Sequence, residues 1–208
     1  SGDLLFDNLI SDSIKWNNIK EINLNIDGKK YKQYSSINLW LAYRGMFVCP
    51  DLLQSILMAL EKNLLNIAEK AKKSENIYIL NRILQKIIKE SNSVVLTAVV
   101  SSVVNAYPEK TYSTAKILFS SKEFFLLDIH RFSKDKTYES GINMVRSLLG
   151  RPKSMEDIYE QERQESEKLE HRKKSHLEAL FLKYQLFNRE NLTDEAFSQR
   201  CNELWKIV

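Results

Sequence analysis

Residues Ser91 to Pro108 read SNSVVLTAVVSSVVNAYP, with no formal charge between Glu90 and Glu109 in a chain where charged residues make up 28%. At a helical 100° per residue, Val95, Ala106, Val99, Val103, Leu96, Tyr107, Val100 and Val104 fill one arc of about half the circumference. Thr97, Ser101, Ser102, Asn105, Ala98 and Val94 occupy the other arc. A helix with no charge even on its poorer face is covered on both sides, which predicts a rod in the middle of a helical stack. The six valines argue for a strand, because β-branched side chains lose rotamer freedom in a helix. Length decides against it: buried strands run about 4 to 8 residues, whereas this run keeps a 3.6-residue period over about 14 and stops at Pro108.

On the N-terminal side, Leu4 to Trp16 carries Leu4, Leu5, Phe6, Leu9 and Ile10 at partly helical spacing and is expected to form a short helix. Ile22, Leu24 and Ile26 then alternate with polar residues and run into Asp27-Gly28. Asp-Gly accepts the positive φ values of a type I′ turn, so a β-hairpin is expected there. Its return arm, Lys29 to Tyr34, offers only Tyr31 and Tyr34 for burial, and a lone hairpin has to lean on other elements.

From Ser36 onward the pattern is helical. Ser36 is placed to cap Ile37 to Tyr43, with Gly45 ending that helix. Pro50 opens a long segment to about Lys73, on which Leu52, Leu53, Ile56, Leu57, Leu60, Leu64, Ile67 and Ala68 share one arc, with Glu61 and Glu69 mostly elsewhere. The next helix, started by Ser74 or Asn76, buries Ile77, Leu80, Ile83, Leu84, Ile87 and Ile88. Beyond Pro108 the pattern predicts a piece over Tyr112 to Phe119 and a capping box of Ser120 and Glu123 ahead of Phe124 to Phe132. A further helix over Tyr138 to Leu149 is closed by Gly150 and Pro152.

Character changes after that point. Lys153 to Lys174 holds 13 charged residues, with opposite charges at helical spacing, and predicts a long exposed helix. The pattern becomes amphipathic again at Leu177, Leu180, Phe181 and Tyr184, and Thr193 starts a final helix ending near Trp205. The fold expected is mainly α: an irregular α-solenoid of the HEAT or armadillo sort, or a helical bundle, with a small N-terminal β-hairpin and a long charged C-terminal helix. Three regions follow, residues 1–35, 36–152 and 153–208. The chain opens Ser1-Gly2 with no initiator methionine, which predicts a fragment carrying a tag-cleavage remnant.

Charge and motif content narrow the function classes. Residues 1–150 carry 20 Lys and Arg against 15 Asp and Glu, and residues 151–208 carry 11 against 12, a milder balance than a dedicated nucleic-acid grip requires. No P-loop, dinucleotide-binding turn, nucleophile elbow or zinc-helix motif occurs in the sequence. No cofactor or metal is expected. His171 and His176 lie about 140° apart on a helix and cannot readily share an ion. Asp128 and His130, two apart, do not face each other on a helix, and the serines at 91, 93, 120 and 121 sit where caps are needed. Cys49 and Cys201 stand far apart in no motif, which fits a reducing cytoplasm. One helical face carries functional colour: Arg82, Lys86 and Lys89 with Tyr78 alongside, able to track phosphates and stack a base, or simply to be the wet side of an amphipathic helix.

Four runs carry a family resemblance: LWLAYRG (Leu39 to Gly45), PDLLQSILMALE (Pro50 to Glu61), ESNSVVLTAVVSSVVNAYP (Glu90 to Pro108) and ILFSSKEFFLLDIHRF (Ile117 to Phe132). Together they resemble a helical region of large bacterial STAND-type P-loop ATPases, some of them associated with defence against phage. The resemblance spans about residues 37–132 and rests on the helices, not on a catalytic motif. It implies a sensor or scaffold coupled to an ATPase core in a larger protein; the core's phosphate-binding residues have no counterpart here. The expectation is a non-enzymatic interaction or sensor segment that meets a protein partner or adjoining domains. The alternative is a nucleic-acid-binding helical module using Arg82, Lys86 and Lys89.

Overall fold

The computed structural model describes residues 19–44, 50–149, 174–187 and 192–207. The expected helix at Leu4 to Trp16, the Gly45 stop, Cys49, the Gly150 and Pro152 exit, the charged stretch up to residue 173 and His171 lie outside the described residues, as do the side chains of Asp51 and of residues 137–149.

Two antiparallel strands, β1 (Lys20–Ile26) and β2 (Lys29–Ser35), are joined by the Asp-Gly turn. Asp27 has φ 52° and Gly28 φ 75°, the pair of left-handed residues that a type I′ turn demands. Leu24 pairs with Tyr31 and Ile22 with Gln33, so alternation sends Tyr31, Gln33 and Ser35 to the same side as the buried isoleucines and leucine. The expected burial of Tyr34 is therefore corrected: it lies on the other side and is exposed, while Gln33 and Ser35 are buried. The Gln33 carboxamide donates to the Ile88 carbonyl at 2.8 Å and accepts from the Thr97 hydroxyl at 2.8 Å, so it ties the hairpin to two helices.

Eight helices follow among the described residues: α1 (Ile37–Leu41, continued by a 3₁₀ turn Ala42–Arg44), α2 (Asp51–Lys70), α3 (Ser74–Glu90), α4 (Val94–Ala106), α5 (Pro108–Phe119), α6 (Lys122–Leu149), α7 (Leu177–Leu186) and α8 (Asp194–Trp205). Local chemistry sets several ends. Ser36 Oγ accepts from the Leu39 N–H, Ser93 Oγ from Val95 and Thr193 Oγ1 from Ala196, each satisfying an orphan donor of a first turn. Pro108 both ends α4 and occupies the first turn of α5, where its missing N–H costs nothing. α5 bends at Thr111 (φ −122°), whose hydroxyl donates to the Tyr107 carbonyl at 2.8 Å.

Several expectations at boundaries are corrected. Of the two starts expected for α3, Ser74 is the one realised. Ser121, not Ser120, stands ahead of α6, and its hydroxyl donates to Glu123 at 2.7 Å. The two helices expected over Phe124–Phe132 and Tyr138–Leu149 are one, because no proline or glycine between Ser133 and Thr137 interrupts the ladder. α7 starts afresh at Leu177, where His176 is extended (φ −144°) and its Nδ1 accepts from the Ala179 N–H.

The uncharged stretch is the hub. α4 touches α1, α2, α3, α5, α7, the 3₁₀ turn and β2. Val94, Ala98, Val99, Val100, Val103 and Val104 are fully enclosed, and so are Thr97 and Ser101 on the poorer arc. In a solenoid each unit meets only its neighbours; here one rod meets elements from both ends of the chain, so of the two architectures expected the helical bundle is realised. Leu177, Leu180, Tyr184 and Leu204 join the same core as the hairpin and α4. No helix among the described residues is long and apolar enough to cross a membrane. Replacing Val99 by Asp is expected to unfold the protein, at a cost on the order of 5 kcal/mol or more, seen as loss of helical circular dichroism and of a cooperative melt.

Candidate functional site

The basic face lies where its spacing puts it, along the outside of α3. Tyr78 is 63% exposed, and the Arg82 guanidinium lies 5.9 Å from its ring centroid. Lys86 pairs with Glu90 at 3.7 Å, one turn on, and Lys89 reaches the hairpin turn to meet Asp27 at 2.8 Å. Two of the three cations on this face thus have a carboxylate within reach.

A denser assembly of charge lies inside. Asp128, Arg131 and Asp135 sit at i, i+3 and i+7 of α6, which stacks them on one face, and that face is buried. Arg131 Nε donates to Asp128 Oδ1 and Nη1 to Asp135 Oδ2, each at 2.7 Å, and Nη2 donates to the Ser175 carbonyl at 2.9 Å. Arg44, at the end of the 3₁₀ turn, donates from Nη2 (2.7 Å) and Nε (3.0 Å) to Asp135 Oδ1. Asp128 Oδ2 accepts from the Leu177 N–H at 2.9 Å and from Asn105 Nδ2 at 3.3 Å, which places a carboxylate at the positive end of α7. Burial alone would pull the Arg131 pKa down, but Asp128, Tyr43 and Asp135 hold it above its ordinary value. Four separate stretches of chain meet on this one cluster.

Glu61 belongs to the same region. It faces inward from the middle of α2, and Ser102 Oγ of α4 donates to its Oε1. Burial pushes its carboxyl up to about 7; the Ser102 hydroxyl and the charges of Arg44 and Arg131 offset this only in part, and Asp135 adds to it. Burial likewise drives the neighbouring Tyr43 phenol well above its usual range. The expectation that Glu61 lies off the buried arc is therefore corrected. The buried stripe of α2 is Gln54, Leu57, Glu61, Leu64, Leu65 and Ala68, while Leu52, Leu53, Ile56 and Ile67 face outward. The Ser102 hydroxyl and the cluster behind it receive the carboxyl, and that fixes the rotation of the helix.

The pair singled out in sequence separates as its spacing requires. Asp128 turns into the cluster, whereas His130 is half-buried, its pKa lowered by burial and by Lys134. His176 caps α7 and packs on Phe132, ring centroids 4.8 Å apart. Among the described residues no group of three or more His, Cys, Asp or Glu side chains is placed to hold a metal ion. A small cavity of about 110 Å³ opens between α5 and α7, and Glu109, Ser175, Lys183 and Tyr184 are among the residues that line it.

The Arg44, Asp128, Arg131 and Asp135 cluster is invisible to helical periodicity, which assigns charged residues to the wet side. The signal was present as two acids and an arginine in register on a helix otherwise rich in Phe, Leu and Ile. The arrangement neutralises charge in a dry interior and joins α1, α6 and α7. Comparison of the sequence with protein-family models gives no match, and neither does comparison with curated proteins. Changing Asp135 to Asn removes the carboxylate shared by Arg44 and Arg131 and is expected to cost about 3 to 5 kcal/mol, measured as the shift in urea unfolding midpoint at constant slope.

Proposed function

We propose that this chain is a non-enzymatic α-helical interaction segment of a larger bacterial protein. On this reading it serves as sensor or scaffold in a STAND-type ATPase with an antiviral role and acts in the cytoplasm. The observation that carries the interaction reading is the outer side of α2. Leu52 is 74% exposed and Ile56 55%, and they continue into Leu53, the half-buried Leu60 and Ile67 to make one apolar ridge at i, i+4 spacing. A contiguous ridge on a helix whose other side already packs on α4 is the kind of surface that a partner groove receives, with anchors read every three or four residues. The partner is a protein or an adjoining domain of the parent, and the resemblance of residues 37–132 to the helical region of STAND proteins is what favours that parent class.

A second reading, a nucleic-acid-binding module using Arg82, Lys86 and Lys89, draws on the exposed Tyr78 beside Arg82 as a stacking platform. The two readings separate cleanly. In the full-length parent, Leu52→Asp combined with Ile56→Asp is expected to weaken a co-purifying partner or domain contact at least tenfold while leaving the melting temperature nearly unchanged, since both side chains are exposed. Unchanged association in that variant, together with salt-dependent binding of a short duplex or single strand lost in Arg82→Glu, would move the assignment to the second reading.

A further inference from the structure

We propose that the cavity between α5 and α7 binds a short neutral molecule whose head both donates and accepts a hydrogen bond, a hydroxyl or a primary carboxamide, carried on an apolar tail. The inference goes beyond the interaction reading and holds whichever partner α2 meets, because no residue of α2 lines this cavity.

Two unpaired atoms carry the argument. Among the described residues four buried side-chain nitrogen or oxygen atoms have no hydrogen-bond partner, and two of them, Asn105 Oδ1 and Ser175 Oγ, belong to residues lining this one cavity. Asn105 is 6% exposed and Ser175 5%. A buried polar atom left unpaired costs free energy, so two at one cavity mark a place where an outside group belongs. The Asn105 amide has only one orientation open to it. Its Nδ2 donates to the Ser101 carbonyl at 3.0 Å and to Asp128 Oδ2 at 3.3 Å, both of which only accept, so the nitrogen faces them and the oxygen is the end left over. Ser175 is held by its main chain: its carbonyl accepts from Arg131 Nη2 at 2.9 Å, while its hydroxyl makes no bond. The buried charge cluster thus positions both orphan groups from behind.

The rest of the lining sets polarity and size. Pro108, Leu180 and Phe187 supply apolar surface, and the Tyr184 hydroxyl already donates to the Pro108 carbonyl at 2.6 Å. Glu109 is exposed and Lys183 half-buried, one charge of each sign, so the lining favours neither an anion nor a cation. An ion drawn inward would lose hydration that an amide oxygen and a hydroxyl do not repay. A neutral hydroxyl or carboxamide instead gives a hydrogen to Asn105 Oδ1, which only accepts, and takes the hydrogen of Ser175 Oγ. The volume of about 110 Å³ admits about four or five non-hydrogen atoms, given that a cavity of about 150 Å³ holds benzene. Water in the same space meets the apolar walls poorly, and a tail that displaces it gains affinity. Bound there, the molecule touches α4, α5 and α7 together.

Titration of the full chain with propionamide, propan-1-ol, butan-2-one and propionate, followed in amide proton–nitrogen correlation spectra, tests this. The expected result is saturable shifts at Ser175, Lys183, Tyr184 and Phe187 with propionamide or propan-1-ol, at millimolar dissociation constants. Butan-2-one has the shape of propionamide but no hydrogen for Asn105 Oδ1, and is expected to bind about fivefold more weakly or worse. Ser175→Ala is expected to leave the melting temperature unchanged, since its hydroxyl has no bond to lose, and to weaken propionamide by a similar factor. Butan-2-one or propionate binding as tightly as propionamide overturns the proposal, and so does propionamide binding that is unchanged in Ser175→Ala. No saturable shift at these residues with any probe, the result for a cavity that holds water only, overturns it as well. Should Ser175→Ala fail to fold, the comparison of propionamide with butan-2-one in the wild type decides.

Discussion

The enclosure of α4 is the constraint from which the other placements follow. A rod of valines, small hydroxyls and one asparagine has no side that solvent would favour, so every direction around it must be filled. Neighbouring elements supply that cover according to what each can bury: α3 and α5 with aliphatic stripes, the hairpin with Ile22, Leu24 and Ile26, and α7 with Leu177 and Leu180. The poorer arc of α4 brings Thr97, Ser101, Ser102 and Asn105 into the interior, and each of those groups calls for a polar neighbour. Gln33, Glu61 and Asp128 meet three of them. The polar content of the core is thus laid down by the weak side of its central helix.

This explains why charge enters the interior at all. Arg131 between Asp128 and Asp135, with Arg44 closing the set, places four ionised groups where water is absent. Such an assembly contributes little net stability compared with an apolar replacement of equal volume, but removing any one member is costly. Its physical effect is to fix relations between distant stretches of chain. The end of α1, the first half of α6 and the start of α7 have one mutual arrangement in which all of these bonds form.

Much of the fold was legible in the sequence for reasons that can be named. The lack of charge over residues 94–104 has one outcome in a folded protein, and Asp27-Gly28 has one turn type that both residues accept without strain. Ser36, Ser93 and Thr193 announced helix starts through short side chains able to reach back to an N–H. Illegible features were those in which two local rules compete. On α2 both a leucine and isoleucine stripe and a stripe through Leu57, Glu61 and Leu64 are helical, and only the Ser102 hydroxyl and the charges behind it choose between them. Tyr34 is a good strand residue on either side of a hairpin, and the pairing register alone sends it outward. The buried cluster went unread because its members are scattered from Arg44 to Asp135, and sequence spacing reveals only the part carried on α6.

Gln33 holds the hairpin by a neutral clasp, giving one hydrogen and taking another between helices that are themselves uncharged at those points. A carboxamide neither titrates nor attracts counterions, so this bond is indifferent to salt and acidity alike, unlike the Asp27–Lys89 ion pair at the other end of the hairpin. The strand pair therefore carries two kinds of fastening, a neutral one at Gln33 and a charged one at Asp27, open to the surrounding ions. Added salt would act on the turn, while the base of the hairpin keeps its grip through Gln33.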